Sequence, residues 1–185
     1  SFYGKRDTSK GLLAIAEGLG DDDLIKRTQA LVAREESRLE EKLAPYKTFF
    51  HGKKAVLNTG GNKTWSIAAA LKDLGIEVVA TAVKKATEDD RGKARQTLGE
   101  KGVLMMNPGV EQAKLIDETG ADLLLAGGRS LYTAIKKGIA FADVNQEKKK
   151  SYGGYDGLLN LAEDLKNALQ NPVFKNVARR APWEK

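Results

Sequence analysis

The sequence predicts a doubly wound α/β fold built on a parallel sheet of about four to five strands. Three observations predict it. From residue 54 onward, short apolar runs alternate with segments of helical period. The runs are continuous rather than alternately apolar and polar, which is the pattern of strands buried on both faces. Glycines stand at the ends of the runs and helices, where a strand turns into a helix or a helix stops. At 185 residues, with 41% apolar and 30% charged side chains, the chain makes one domain, or one domain with an extension. A chain of this size buries roughly 70% of its unfolded surface and needs no disulfide or metal to hold it.

The first 50 residues read as helix. Thr8 is a candidate N-cap for a short helix through Leu19, closed by Gly20. Asp21, Asp22 and Asp23 follow, where the positive end of a helix favours carboxylates. Leu24, Ile25, Thr28, Leu31, Val32, Leu39 and Leu43 recur at helical spacing and define one long amphipathic helix, with Pro45 expected to end it. The charged run from Arg34 to Glu41 is a solvated helix face. This helical section, residues 1–50, packs on the sheet or extends from it; residues 51–185 form the α/β domain.

Strands are expected at Lys54–Asn58, Glu77–Thr81, Val103–Met106 and Leu123–Ala126, with Ile139–Val144 as an edge strand. Between them lie helices at Thr64–Leu74 (closed by Gly75), about Glu88–Leu98, Val110–Glu118 (closed by Gly120) and Leu131–Lys137. A last helix runs from about Gly154 to Leu169, followed by Pro172 and a basic tail. Right-handed crossovers between parallel strands give a Rossmann-like, doubly wound topology.

Composition excludes several chemistries. With no cysteine there is no thiol nucleophile, no disulfide and no thiolate for iron or zinc. The single histidine, His51, sits at a helix-to-strand junction and reads as a surface or cap residue. Ser66, Ser130 and Ser151 have no histidine base near them in sequence, which argues against a serine hydrolase triad. No apolar run approaches the length of a membrane span, and residues 1–10 contain no signal-peptide core, so a cytoplasmic location and no membrane partner are expected. The net charge of +6 lies wholly in residues 51–185, which hold 22 basic and 16 acidic side chains. It points to an anionic partner such as phosphate or an anionic cofactor, or serves only solubility. The lysine and arginine clusters are scattered and do not interleave with aromatics, so no nucleic-acid partner is expected.

In open α/β sheets, ligands gather beyond the carboxyl ends of the strands where the strand order reverses. Three segments qualify. After the first strand, Gly60 and Gly61 permit close backbone approach, Asn62 and Lys63 follow, and the next helix begins with unpaired N–H donors. The segment is neither a P-loop nor a GxGxxG turn, and a plain strand-to-helix turn is the alternative reading. After the fourth strand, Gly127-Gly128-Arg129-Ser130 repeats the same logic. After the edge strand, Asp143 to Glu147, with Asn145 at its centre, leads through Lys148-Lys149-Lys150 into the glycine- and tyrosine-rich stretch 151–157.

These segments, in this order, carry a family resemblance. SFYG at 1–4, TGGNKTWS at 59–66, ALKDLGIEVVAT at 70–81 and AGGRSLYTA at 126–134 make the chain resemble the carboxyl-terminal part of nitrogenase component 1-type proteins. DVNQE at 143–147, GGYDG at 153–157 and APW at 181–183 extend the likeness over essentially the whole chain. Among the members it is most similar to the scaffold subunit on which the iron–molybdenum cofactor precursor matures. Ala140 stands where the family has proline.

The resemblance implies a subunit of α/β domains around a large iron–sulfur cofactor, whose backbone-amide and cation contacts would fall on Gly60, Gly61 and Lys63. The cofactor-anchoring histidine of the catalytic subunit is replaced here by Asn145, as suits a scaffold that must release its cargo. The cluster-ligating cysteines of the family precede the Ser1 position, so this chain alone is expected to bind no iron and to carry no oxidoreductase activity. Gly128, Arg129 and Ser130 would join the cofactor-binding set, and no residue is assigned a catalytic role. The implied partners are a NifN-like subunit in a heterotetramer and the nitrogenase iron protein. Two other readings stay open: a stand-alone phosphate- or nucleotide-binding module, and a fragment of a catalytic nitrogenase alpha-type subunit, against which Asn145 counts.

Overall fold

Strands Lys54–Asn58 (β1), Glu77–Ala82 (β2), Val103–Met105 (β3), Leu123–Ala126 (β4) and Ala140–Asp143 (β5) pair in parallel in the order β3-β2-β1-β4-β5. This computed structural model describes residues 1–59, 63–83, 98–99, 102–147 and 150–177. The helix expected over about 88–98 falls outside the described residues except at its last position, as do Gly60, Gly61, Asn62, Lys148, Lys149 and the tail from 178.

The central strands are buried on both faces, as their continuous apolar runs require. Successive side chains point to opposite sides, so Ala55, Leu57, Leu123 and Leu125 enter one core and Val56, Leu124 and Ala126 the other. Helices Asp22–Phe50 (α2), Lys63–Asp73 (α3) and Gly154–Gln170 (α6) supply Leu39, Leu43, Phe50, Ile67, Leu71, Leu158 and Leu161 to the first core. Helices Pro108–Thr119 (α4) and Leu131–Lys137 (α5) supply Leu115, Ile116 and Ala134 to the second. Each buried leucine contributes on the order of 2 kcal/mol. Helix Lys5–Leu19 (α1) lies against α2 and α6, and a short helix, Pro172–Val177 (α7), follows α6.

Two expectations at the amino-terminal section are corrected. Thr8 is not an N-cap. Helix α1 starts at Lys5, and its first N–H donates to Asp73 Oδ2 on α3 at 2.9 Å. A carboxylate from another helix thus caps it, while the Thr8 hydroxyl, buried inside the first turns, donates to Gly4 O at 2.7 Å. Nor does Pro45 end the long helix, which continues to Phe50. Proline removes one N–H and clashes with the carbonyl four residues earlier, at a cost of about 3 kcal/mol. Pro45 and Glu41 are both exposed, so water can satisfy the freed carbonyl. Beyond the proline, Phe50 is fully buried, with Tyr46 stacked on it at 6.4 Å and Phe49 edge-on at 5.3 Å. That aromatic burial outweighs the proline. At the other end the three aspartates do begin α2, and Asp21 is its cap, accepting from the Asp23 and Leu24 N–H groups at 2.9 and 3.1 Å.

Opposite signs are expected for two substitutions on this helix. Phe50→Ala should lower stability by about 3–5 kcal/mol, whereas Pro45→Ala should raise it by about 1–2 kcal/mol. Urea unfolding of both variants checks this, and a stability loss in Pro45→Ala would contradict the account.

Candidate functional site

Strand order reverses between β1 and β4, so the crevice of the sheet opens at their carboxyl ends. Asn58, Ala126 and Asp143 stand in one register row across β1, β4 and β5. Neighbouring strands lie about 4.8 Å apart, which brings the loops after these strands side by side. Thr59 and Thr64 join their hydroxyls at 2.9 Å and close the base of the first loop, leaving Lys63 as the first residue of α3.

The loop after β4 is shaped by its two glycines. A Cβ on Gly127 would stand 2.8 Å from Asn145 Nδ2, and one on Gly128 would stand 3.3 Å from Asp143 Oδ2. At 127 the neighbour is the tip of the exposed Asn145 side chain, so the approach of the β5 loop is close there without demanding glycine. Gly128, Arg129 and Ser130 form a single 3₁₀ turn. Ser130 is turned inward, 8% exposed, and donates to Gln112 Oε1 at 3.4 Å. Arg129 is exposed and forms no ion pair among the described residues.

Gln112, on α4, was not singled out by the sequence. It is 4% exposed, accepts from Asn58 Nδ2 at 3.0 Å and donates to Thr133 Oγ1 at 3.1 Å. One buried amide therefore ties β1, the glycine turn and α5 together beneath the crevice. No sequence motif marks it, because its partners are 18, 21 and 54 residues away.

Glu147 is the second residue whose role the sequence hid. Lys63 Nζ donates to Glu147 Oε1, and the Tyr3 hydroxyl donates to the same oxygen at 2.5 Å. The Tyr152 N–H donates to Oε2 at 2.6 Å. Lys63 also lies 5.1 Å from the centre of the Tyr3 ring, a cation–π contact. The Lys63 and Glu147 side chains are 22% and 18% exposed, so this is a half-buried pair. Burial alone would raise the Glu147 carboxyl, but the hydrogen bonds from Lys63, Tyr3 and Tyr152 outweigh it and hold the group at about 2. Burial, with the Glu147 hydrogen bond second, raises Tyr3 above its usual range.

The Tyr152 backbone is fixed from below. A Cβ on Gly157 would lie 2.3 Å from the Tyr152 carbonyl carbon, so α6 reaches this loop only through a glycine. Tyr3 forms an antiparallel bridge with Gly153, and Gly154 N–H donates to Phe2 O at 2.7 Å. The amino-terminal segment is thereby held at the same edge.

Other expected contributors lie elsewhere. Lys150 pairs with Glu163 and stands 3.7 Å from Asp164, both on α6, which removes it from the cationic lining. His51, read from the sequence as a surface or cap residue, is exposed and is the C-cap of α2, at the amino ends of the strands. A cavity of about 400 Å³ at those amino ends, lined by Phe49, Ile139, Leu169 and Phe174, lies at the opposite end of the strands from the crevice. Among the described residues no group of three or more carboxylates or histidines could hold a metal ion. What the site offers is cations, amides and hydroxyls.

The family profile of nitrogenase component 1-type oxidoreductases matches residues 1–170. The chain belongs to this family. It is 45% identical over its full length to the nitrogenase iron-molybdenum cofactor biosynthesis protein NifE of Nostoc sp., covering 38% of that protein. The NifE protein of Klebsiella pneumoniae is also 45% identical, with 99% of this chain and 40% of that protein covered. The chain thus spans about two fifths of the length of the relatives it matches. A solved structure of nitrogenase Cp1 at pH 5 superposes with a TM-score of 0.77 over 99% of this chain and 43% of that one, at 20% identity. That likeness shows that the family fold is the one described above.

The ionisation of Glu147 has a measurable sign. Its carboxyl sits below its ordinary 4.5 in the folded chain, so its contribution to stability is complete above that value and is lost as pH falls toward 2. The stability difference between the wild-type chain and Glu147→Gln is expected to be largest at pH 7 and to shrink between pH 5 and 3. Urea unfolding at pH 7, 4 and 3 reads this, and a difference independent of pH would refute the ion-pair account.

Proposed function

We propose that this chain forms one wall of the pocket in which an iron–sulfur precursor of the iron–molybdenum cofactor is held while it matures, as part of a longer NifE-like scaffold. One observation carries the reading: Lys63 at the start of α3 and the exposed guanidinium of Arg129, which forms no ion pair among the described residues, stand on loops that open side by side at the switch point. The NifE relatives, matched along the whole chain, support the assignment of cargo.

The precursor is cargo, and the described residues fit its charged periphery rather than its metals. Lys63 and Arg129 complement sulfide or carboxylate charge. The first turn of α3 adds N–H donors and the positive end of a helix dipole. Gly60, Gly61 and Asn62 belong to the same loop and are proposed to bring backbone amides to the cargo. Asn145, exposed beside Gly127, offers an amide where a histidine would anchor a metal, so the cargo can leave. On this reading the complete subunit pairs with a NifN-like subunit and receives the nitrogenase iron protein, and enclosure of the pocket comes from those surfaces.

The test is made in the full-length protein. Lys63→Ala and Arg129→Ala should each reduce precursor retained through anaerobic purification by about tenfold, the scale of one charge-assisted contact. Asn145→His should retain more. Iron content per subunit is the measurement, and unchanged loading in both cation variants would remove the proposal.

A further inference from the structure

Lys63 would be the main cation of the pocket wall, yet it is already neutralised. We propose that Glu147 is a built-in stand-in for the cargo: it occupies Lys63 in the empty chain, and an incoming anionic group takes Lys63 by exchange. This inference rests on the pocket reading above and adds how the site is kept until it is filled.

The geometry favours exchange over a fixed structural bridge. An isolated half-buried ion pair is costly to open, because one charge is left without a partner. Glu147 is not isolated. When Lys63 turns to another anion, the carboxylate keeps the Tyr3 hydroxyl on Oε1 and the Tyr152 N–H on Oε2. Lys63 for its part keeps the face of the Tyr3 ring, which a cation can use whichever anion it pairs with. Both partners therefore stay satisfied through the swap, and only the single contact between them is traded.

The arrangement also couples the swap to the chain's edge. The carboxylate joins three stretches: the start of α3, the amino-terminal segment through Tyr3, and the Tyr152 loop. That segment and that loop are bridged at Tyr3 and Gly153. Filling the site thus relaxes an ionic contact that fastens α3 to them. Glu147 sets the threshold, since an anion must compete with a carboxylate held in place, and its apparent affinity falls by the fraction of Lys63 left free.

Inorganic sulfate is the probe, titrated into the 185-residue chain while the backbone amide shifts of Thr64 and Tyr152 are followed. Glu147→Gln removes the competitor and should bind sulfate about 10- to 100-fold more tightly than wild type, the scale of one or two charge-assisted hydrogen bonds. Tyr3→Phe tests the exchange from the other side. It keeps the ring but takes away a donor that Glu147 needs after the swap, so sulfate binding should weaken several-fold, and it does not depend on Glu147→Gln folding. Lys63→Ala should abolish binding in every background. Equal affinity in wild type and Glu147→Gln, with Lys63→Ala binding neither, would overturn the stand-in while leaving the pocket wall intact. Sulfate bound equally well without Lys63 would overturn both.

Discussion

Burial of the sheet on both faces is the constraint from which the rest follows. Ala55, Val56, Leu57 and every residue of β4 are at most about 1% exposed, and an unpaired polar group there would cost several kcal/mol. Chemistry is therefore driven to the strand ends. The order β3-β2-β1-β4-β5 then selects which end, because only at the carboxyl ends of β1 and β4 do the crossovers leave in opposite directions and part the loops. Lys63, Arg129 and Asn145 are brought to the same end of the sheet for that reason, although they are separated by 66 and 16 residues in sequence.

The amino-terminal section matters to the site through its first residues. Helices α1 and α2 lie on the same side of the sheet as α3 and α6, and Leu39, Leu43 and Phe50 share a core with the strands. Asp73 on α3 caps α1, which sets where the preceding segment emerges. That position lets Phe2 and Tyr3 meet the 153–154 turn and brings the tyrosine ring against Lys63. A helix cap at one end of α3 and an ion pair at the other thus belong to one continuous support.

What was legible in the sequence was what local rules decide. The bounds of β1, β4 and α5 follow directly from apolar runs and their closing glycine, and they match the structure. The turn after β4 was also marked in the sequence, because Gly127 and Gly128 stand directly at the strand end. Thr8 and Pro45 were misread for one shared reason: a local preference was outvoted by a distant partner, Asp73 in one case and the buried aromatic cluster around Phe50 in the other. Gln112 gave no signal, and Glu147 lay in a candidate segment without any sign of its pairing with Lys63. Each is an ordinary polar residue in sequence and becomes informative only when the fold gathers its partners, as when Tyr3 and Glu147 meet across 144 positions.

The Lys63–Glu147 pair answers a difficulty that a pocket for an anion creates for itself. Two cations and the positive end of a helix gathered in one crevice repel each other when nothing is bound. Leaving Lys63 in that field would weaken the empty state or send the side chain out to solvent, where it would be poorly placed when cargo arrives. A carboxylate on the neighbouring loop removes the repulsion and holds the ammonium in position, at the expense of competing with the ligand. A histidine-anchored site can accept that competition poorly, because it is built to retain its cofactor. On the proposed reading, Asn145 in place of an anchor would make retention weak, and a competing carboxylate would act in the same direction, keeping the empty site ordered while easing release of the cargo.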